Sequence, residues 1–154
     1  MSVFSEYQTD TIDLALDFYG YEDCPKNYEF GPSVRDNFVL HFVTKGKGVF
    51  HFEKKEIHLE AGDLFLLPKN KVTYYQADSE EPWSYYWIGI SGTKVSDFMR
   101  FSTLQEKGFL KKTEVDTERI GLFMEQLVHK AEASKMTSHY QLHLLSQIYE
   151  LLFL

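Results

Sequence analysis

One cysteine, Cys24, stands in the 154-residue chain, so no disulfide can form within it, and a lone thiol fits a reducing compartment. Positive charge is scarce: 16 Lys and Arg against 23 Asp and Glu leave a net charge of −7, with no basic stripe. An acidic segment grips phosphate backbones poorly, so these residues are not expected to bind DNA by themselves. No apolar run is long enough to span a bilayer. Met1-Ser2-Val3-Phe4-Ser5-Glu6 lacks the charged start and apolar stretch of a secretion signal. The expected setting is the cytoplasm, with no membrane partner. No Ser/His/Asp order, Cys/His pair or phosphate loop is recognisable, and Gly46-Lys47-Gly48 reads as a hairpin turn. No repeat or low-complexity segment is present.

Aromatic residues, by contrast, make up 16% of the chain, enough for some ring surface to serve a ligand as well as packing. The organising stretch is Phe38 to Ile90, with Ala61-Gly62-Asp63-Leu64-Phe65-Leu66-Leu67-Pro68 at its pivot. Gly-Asp makes a tight turn, the apolar residues a buried strand, and Pro68 ends it. Before it, Phe38–Val43 and Val49–Glu53 read as a hairpin-like pair; after it, Pro82–Ile88 reads as an aromatic strand. Alternation from Ile12 through Leu14, Leu16 and Phe18 predicts a half-buried strand over 11–19. Residues 20–37 are turn-rich yet carry Tyr21, Tyr28, Phe30 and Arg35. A turn at Lys54-Lys55 would oppose Phe50 with Leu59, Phe52 with Ile57, and His51 with His58. Phe50, Phe52, Ile57 and Leu59 then form an apolar face, and His51, His58, Glu53, Glu56 and Glu60 a wet one. Short strands at this spacing predict a small antiparallel barrel or sandwich.

The period changes after Gly92. Val95, Phe98, Met99 and Ser102 predict a short helix. Ile120, Phe123, Met124, Leu127, Val128 and Ala131 predict a longer one opened by Thr117 and Glu118. A third helix is expected from Ser138, with Leu144, Leu145, Ile148, Leu151 and Leu152 as its stripe.

Gly62, Pro68, Asn70 and Thr73 follow the outline of the second cupin motif, which has a glycine near 70 and a metal-binding histidine near 73. The fuller run is Val39–Val43 through Gly46-Lys47-Gly48, Ala61–Pro68, Tyr75-Gln76-Ala77-Asp78 and Pro82–Trp87. It resembles the N-terminal effector domain of AraC-type transcription regulators, in the branch that controls oligosaccharide utilisation, over roughly residues 12–100. The resemblance implies a cupin-like antiparallel β-barrel over 1–92, with an N-terminal arm and a lip over its pocket from 20–37. It also implies a helical dimerisation segment over 93–154 of the same domain. It implies as well a C-terminal helix-turn-helix domain that binds DNA and lies outside this chain. The run of apolar residues up to Phe153-Leu154 lacks a helix cap, which fits an effector half of a longer protein.

Tyr85 and Trp87 stand two apart on one strand and share a face, which Gly89 is expected to continue as open space. Together they offer a ring surface with an O–H and an N–H at its edge, the combination that sugars need. Core packing is the plainer alternative. In the family, positions matching Tyr75, Tyr85 and Trp87 line the sugar pocket, a histidine often standing where Tyr85 is, and a pocket arginine comes from the neighbourhood of Arg35. A guanidinium matches paired hydroxyls or a carboxylate, although Arg35 could instead pair with Asp36 at the surface. His41 points inward if the following hairpin has an even loop; otherwise Leu40 does. Asp63 is expected to orient its turn rather than act as an acid or base. His51 and His58 with Glu53 and Glu60 contain metal-ligand types, but the pairing above turns them away from a barrel's cavity. His139 and His143, four apart, read as a helix-surface pair. No cofactor or metal is expected.

The favoured reading is a non-enzymatic, sugar-sensing and dimerising domain. Arg35, His41, Tyr75, Tyr85 and Trp87 would meet the sugar. Leu144, Leu145, Ile148, Leu151 and Leu152 would be shared between the barrel and a second copy. A metal-dependent cupin isomerase or oxygenase and a ligand-free interaction module are the alternatives. Stoichiometric metal would favour the first; a barrel filled with side chains would favour the second.

Overall fold

The computed structural model describes residues 3–6, 14–100 and 102–134. The third-helix residues, including Leu144, Leu145, Ile148, Leu151 and Leu152, lie outside the described residues, as do His139 and His143.

Among the described residues, two antiparallel sheets face each other and helices cover the larger one. In chain order the strands are β1 (Val3–Glu6), β2 (Ala15–Asp23), β3 (Glu29–Val34), β4 (Phe38–Lys45) and β5 (Lys47–Phe52). Then come β6 (Lys55–Glu60), β7 (Leu64–Leu67), β8 (Val72–Ala77) and β9 (Ser84–Ser91). Helices α1 (Thr93–Arg100) and α2 (Thr103–Lys107), the short β10 (Phe109–Leu110) and helix α3 (Thr117–Ser134) complete the series. One sheet has the order β1-β2-β9-β4-β7-β10, the other β3-β8-β5-β6. This is a jelly-roll-like sandwich, as expected; the two sheets are not joined into a closed barrel.

The central strands β4 and β7 of the larger sheet are buried on both faces along most of their length, which is why they read as continuous apolar runs. In β7, Leu64 and Leu66 face the helices while Phe65 and Leu67 face the other sheet. In β4, Phe38 and Leu40 face the helices while Val39 and Val43 face inward. The outer core is completed by Met124, Leu127, Val128 and Ala131 of α3, the face predicted from its spacing.

Three local expectations are corrected. First, β4 and β5 are not a hairpin: they belong to different sheets. Gly46, at φ 74°, turns a corner between them so close to Pro82 that a Cβ would overlap its carbonyl. Only glycine fits such a corner without strain. Second, the β5–β6 turn is Glu53-Lys54, with φ of 49° and 65°, so Phe50 opposes Ile57 and His51 opposes Glu56. This register differs from the expected one by two residues, so the facing survives. Phe50, Phe52, Ile57 and Leu59 are buried, while His58 lies on the exposed face. Third, Ser102 does not extend the first helix. It caps α2 by accepting a hydrogen bond from the Leu104 N–H at 3.1 Å, and Gly108 closes that helix at φ 86°.

Residues 11–13 of the strand predicted over 11–19 lie outside the described residues; β2 spans Ala15–Asp23, running on through residues expected to be turns. A bulge between Leu16 and Phe18 shifts its register against β9. An added residue reverses the facing of the rest of the strand. Leu14 and Leu16 therefore pack under the helices, but Phe18 turns into the space between the sheets.

Asp63 secures the turn before β7. Its carboxylate accepts from the Glu60 N–H at 2.9 Å and the Lys112 N–H at 3.0 Å, tying the β6–β7 turn to the segment after β10. The carboxylate is buried and both bonds hold backbone N–H groups, so Asp63 orients its turn.

Candidate ligand-binding site

The inner face is built by register. Across β2 and β9, Phe18 opposes Gly89, Gly20 opposes Trp87 and Glu22 opposes Tyr85. On the other side of β9, His41 opposes Trp87 and Val43 opposes Tyr85. The facing sheet brings Phe30 opposite Tyr75. Opposed residues share a face, so these side chains converge. They enclose a cavity of about 410 Å³, lined also by Tyr28, Val39 and Leu67. Arg35, His41, Tyr75, Tyr85 and Trp87 all line it.

Trp83, Tyr85 and Trp87 form a gradient along the inner face. Trp83 is fully buried and stacks on Phe65 at 5.2 Å, Tyr85 is nearly buried, and Trp87 is half-buried at the cavity. Tyr85 and Trp87 meet edge-on at 5.6 Å. The face beyond Trp87 is not open, contrary to expectation. The Phe18 ring lies on Gly89 where a side chain would otherwise be. A large ring opposite a glycine is a cross-strand pattern, but it becomes readable only with the bulge that places Phe18 there.

Arg35 does not pair with Asp36. Among the described residues its guanidinium forms no ion pair; it lies 4.9 Å from the Phe30 ring centre and 5.5 Å from that of Phe18. These cation–π contacts hold the group in place. Its Nε is buried without a hydrogen-bond partner among the described residues. So is Nδ1 of His41, which stacks on Phe65 at 4.3 Å and is 2% exposed. The inward facing of His41 comes from strand alternation with Val39 and Val43, not from the hairpin loop.

Burial drives the His41 pKa down from 6.5 to about 3, the nearby Arg35 charge adds to this, and the polar backbone of Val39 partly opposes it. His41 is therefore a neutral imidazole at pH 7. Burial pushes the hydroxyls of Tyr75 and Tyr85 well above their ordinary range, and the Cys24 thiol beside Tyr85 up to about 12. All three stay protonated, able to donate as well as accept.

Glu22, Phe18, Val39 and Leu67 also line the cavity, although nothing local in the sequence marks them as lining residues. Tyr28 and Phe30 were legible only as unusual aromatics in the segment expected to form a lip. His51 and His58 lie on the outer side of the smaller sheet, where His51 packs on Tyr74 and His58 is 3.9 Å from Glu56. Among the described residues no three His, Cys, Asp or Glu side chains converge as a metal site would require. Thr73, standing where the cupin motif has its histidine, is buried.

A sequence model of the AraC-like ligand-binding domain matches residues 15–152. The chain belongs to this family. Over 104 residues it is 45% identical to the Msm operon regulatory protein of Streptococcus mutans, covering 68% of the chain and 37% of that protein. Over 100 residues it is 40% identical to the raffinose operon transcriptional regulatory protein RafR of Pediococcus pentosaceus, covering 63% and 36%. Over 119 residues it is 31% identical to the lactose operon transcription activator of Staphylococcus xylosus, covering 77% and 43%. The chain thus spans less than half the length of these relatives. Among solved structures, YhaK from Escherichia coli is similar in fold, with a TM-score of 0.51 and 13% identity over 60% of the chain and 45% of that protein. Among the described residues of this AraC-like domain, no helix is long and apolar enough to cross a membrane.

Proposed function

We propose that this AraC-like domain is the effector sensor of a sugar-operon transcription regulator, that a sugar occupies the cavity, and that it catalyses no reaction. The supporting observation is the lining: Tyr85 and Trp87 rings beside a clamped guanidinium and protonated hydroxyls. Sugars present apolar C–H faces between hydroxyls that both donate and accept, and this lining complements both. The names of the three relatives point the same way. DNA binding belongs to a part of the protein outside this chain, in keeping with the acidic charge here.

Occupancy has a route to the helices. Tyr85 and Trp87 face the cavity from β9, and the intervening Tyr86 faces α3, its hydroxyl 3.3 Å from His129 Nε2. On β2, next to the cavity residue Phe18, Tyr19 donates to Glu132 of α3 at 2.6 Å. A ligand that moves β9 or β2 thereby changes how α3 sits, which is the differential contact that coupling between sites requires.

Thermal-shift titration with a sugar panel including raffinose and lactose tests the reading. No shift with any sugar of the panel would count against it. Trp87→Ala should weaken binding of the responding sugar by about 1–3 kcal/mol. Tyr86→Ala should chiefly lower the melting temperature, because that ring packs outside the cavity. Full affinity in Trp87→Ala with loss in Tyr86→Ala would invert the assignment. Arg35→Ala should remove a charge-assisted contact and weaken binding by about 1.5–3 kcal/mol in calorimetry, more than it lowers stability. Stability loss alone would make Arg35 a purely structural cation.

The domain is further proposed to form a homodimer. The sequence after Ser138 is apolar on two sides of a helical projection, with Leu142, Tyr149 and Phe153 flanking the Leu144–Leu152 stripe. One side suits the domain itself and the other a second copy about a two-fold axis. Sedimentation equilibrium should give twice the 18.1 kDa chain mass at micromolar concentration. A monomer mass throughout, or a dimer that survives Ile148→Glu, would remove this interface.

A further inference from the structure

Among the described residues the cavity holds two formal charges, and they do not neutralise each other by contact. Arg35 and Glu22 both line it, yet no ion pair joins them among the described residues. Glu22 lies on β2 directly opposite Tyr85, so its carboxylate is presented on the face where Tyr85 and Trp87 offer their rings. Its charge is felt there: it helps to raise the pKa of Cys24 and Tyr28, after burial, which is the larger cause for both. His41 adds no charge, and the remaining lining consists of rings, hydroxyls and aliphatic side chains.

We propose that Glu22 sets the charge class of the ligand: with Arg35 it selects an uncharged polyhydroxyl compound and rejects the anionic form of the same sugar. The inference rests on the sugar reading of the cavity and goes beyond it by excluding uronates and sugar phosphates. A neutral sugar satisfies both groups, since one hydroxyl can donate to Glu22 while another accepts from Arg35. An anionic sugar satisfies Arg35 alone. It brings its charge into a partly desolvated space shared with the Glu22 carboxylate, where like charges repel far more strongly than in water. The domain's net charge of −7 opposes its approach as well. Arg35 by itself would favour an anion; Glu22 reverses that preference.

The test uses matched pairs: raffinose and lactose, each beside its derivative oxidised to a carboxylate at galactose C6. Calorimetry at pH 7 on the wild type should show each carboxylate binding roughly tenfold or more weakly than the parent sugar. Glu22→Gln, which keeps size and hydrogen bonding but removes the charge, should narrow that ratio by at least about threefold. Glu22→Ala serves as the second variant, and circular dichroism checks the fold of both. Equal or tighter binding of a carboxylate by the wild type would overturn the proposal, as would a ratio that neither variant narrows. Binding of the parent sugars is read separately. If neither parent binds while another sugar of the panel does, the same oxidation is applied to that sugar. If no sugar binds, the sugar reading falls and this inference falls with it.

Discussion

Trp83→Ala should destabilise the domain by about 3–5 kcal/mol, measured by urea unfolding with the wild type alongside. Trp83 is fully buried, stacks on Phe65 with an interplanar angle of 18°, and meets Tyr75 and Tyr85 at 6.1 Å each. It also covers Gly48, where an added Cβ would come within 2.5 Å of the indole. The residue sits where two corners meet: Gly46 turns against Pro82, and the Lys47 N–H donates to the Glu81 carbonyl at 2.9 Å. Removing the ring leaves a void between the sheets that the paired backbone cannot collapse to fill. Trp83→Phe should cost less than half as much. The indole Nε1 has no hydrogen-bond partner among the described residues, so phenylalanine keeps a ring and forfeits no bond. An alanine variant within about 1 kcal/mol of the wild type would show that this region repacks freely.

The same ring shows what could be read before the structure. Pro82 to Ile88 is legible as an aromatic strand, although β9 itself starts at Ser84, and Tyr85 with Trp87 as one face of it, because alternation on a strand is a local property. The burial of β7 is legible from its unbroken apolar run, and the buried face of α3 from its helical spacing. What escaped depends on registry between distant segments. Apolar pattern alone cannot separate two hairpin registers that differ by two residues, so the β5–β6 turn was misplaced while its facing held. Nothing local announces the bulge at Leu16/Phe18, yet it decides that Phe18, Gly20 and Glu22 face the cavity. Glu22 was therefore invisible as a lining residue, since a charged residue in a turn-rich stretch reads as solvated. The corner at Gly46 reads in the sequence like a hairpin turn because both favour a glycine in the left-handed region.

The second large effect concerns pH and originates in His41. In the folded domain its pKa falls to about 3, against 6.5 for an ordinary histidine, first through burial and then through the Arg35 charge. The unfolded chain therefore binds a proton more readily than the native one, and stability falls as pH drops. The sign is fixed by the direction of the shift. Above pH 6.5 both states are neutral at this site and it contributes no pH dependence. Between 6.5 and about 3 the unfolded state is protonated and the native state is not, so stability is lost continuously. Lowering the pH from 7 to 5 should cost about 2 kcal/mol at this one residue. His41→Phe preserves a ring to stack on Phe65 and cannot be protonated, so the stability difference between wild type and variant should shift by that amount across the interval. Urea unfolding of both proteins at several pH values provides the measurement. Parallel stability–pH curves would mean that His41 gains water or a counter-charge on protonation, and that its burial does not depress its pKa as far as stated. The neutral imidazole also bears on recognition. With Arg35 the only cation lining the cavity among the described residues at pH 7, a sugar that pulled His41 into its protonated form would have to overcome the same penalty. Affinity for a neutral sugar should accordingly change little between pH 6 and 8, a range far above the His41 transition.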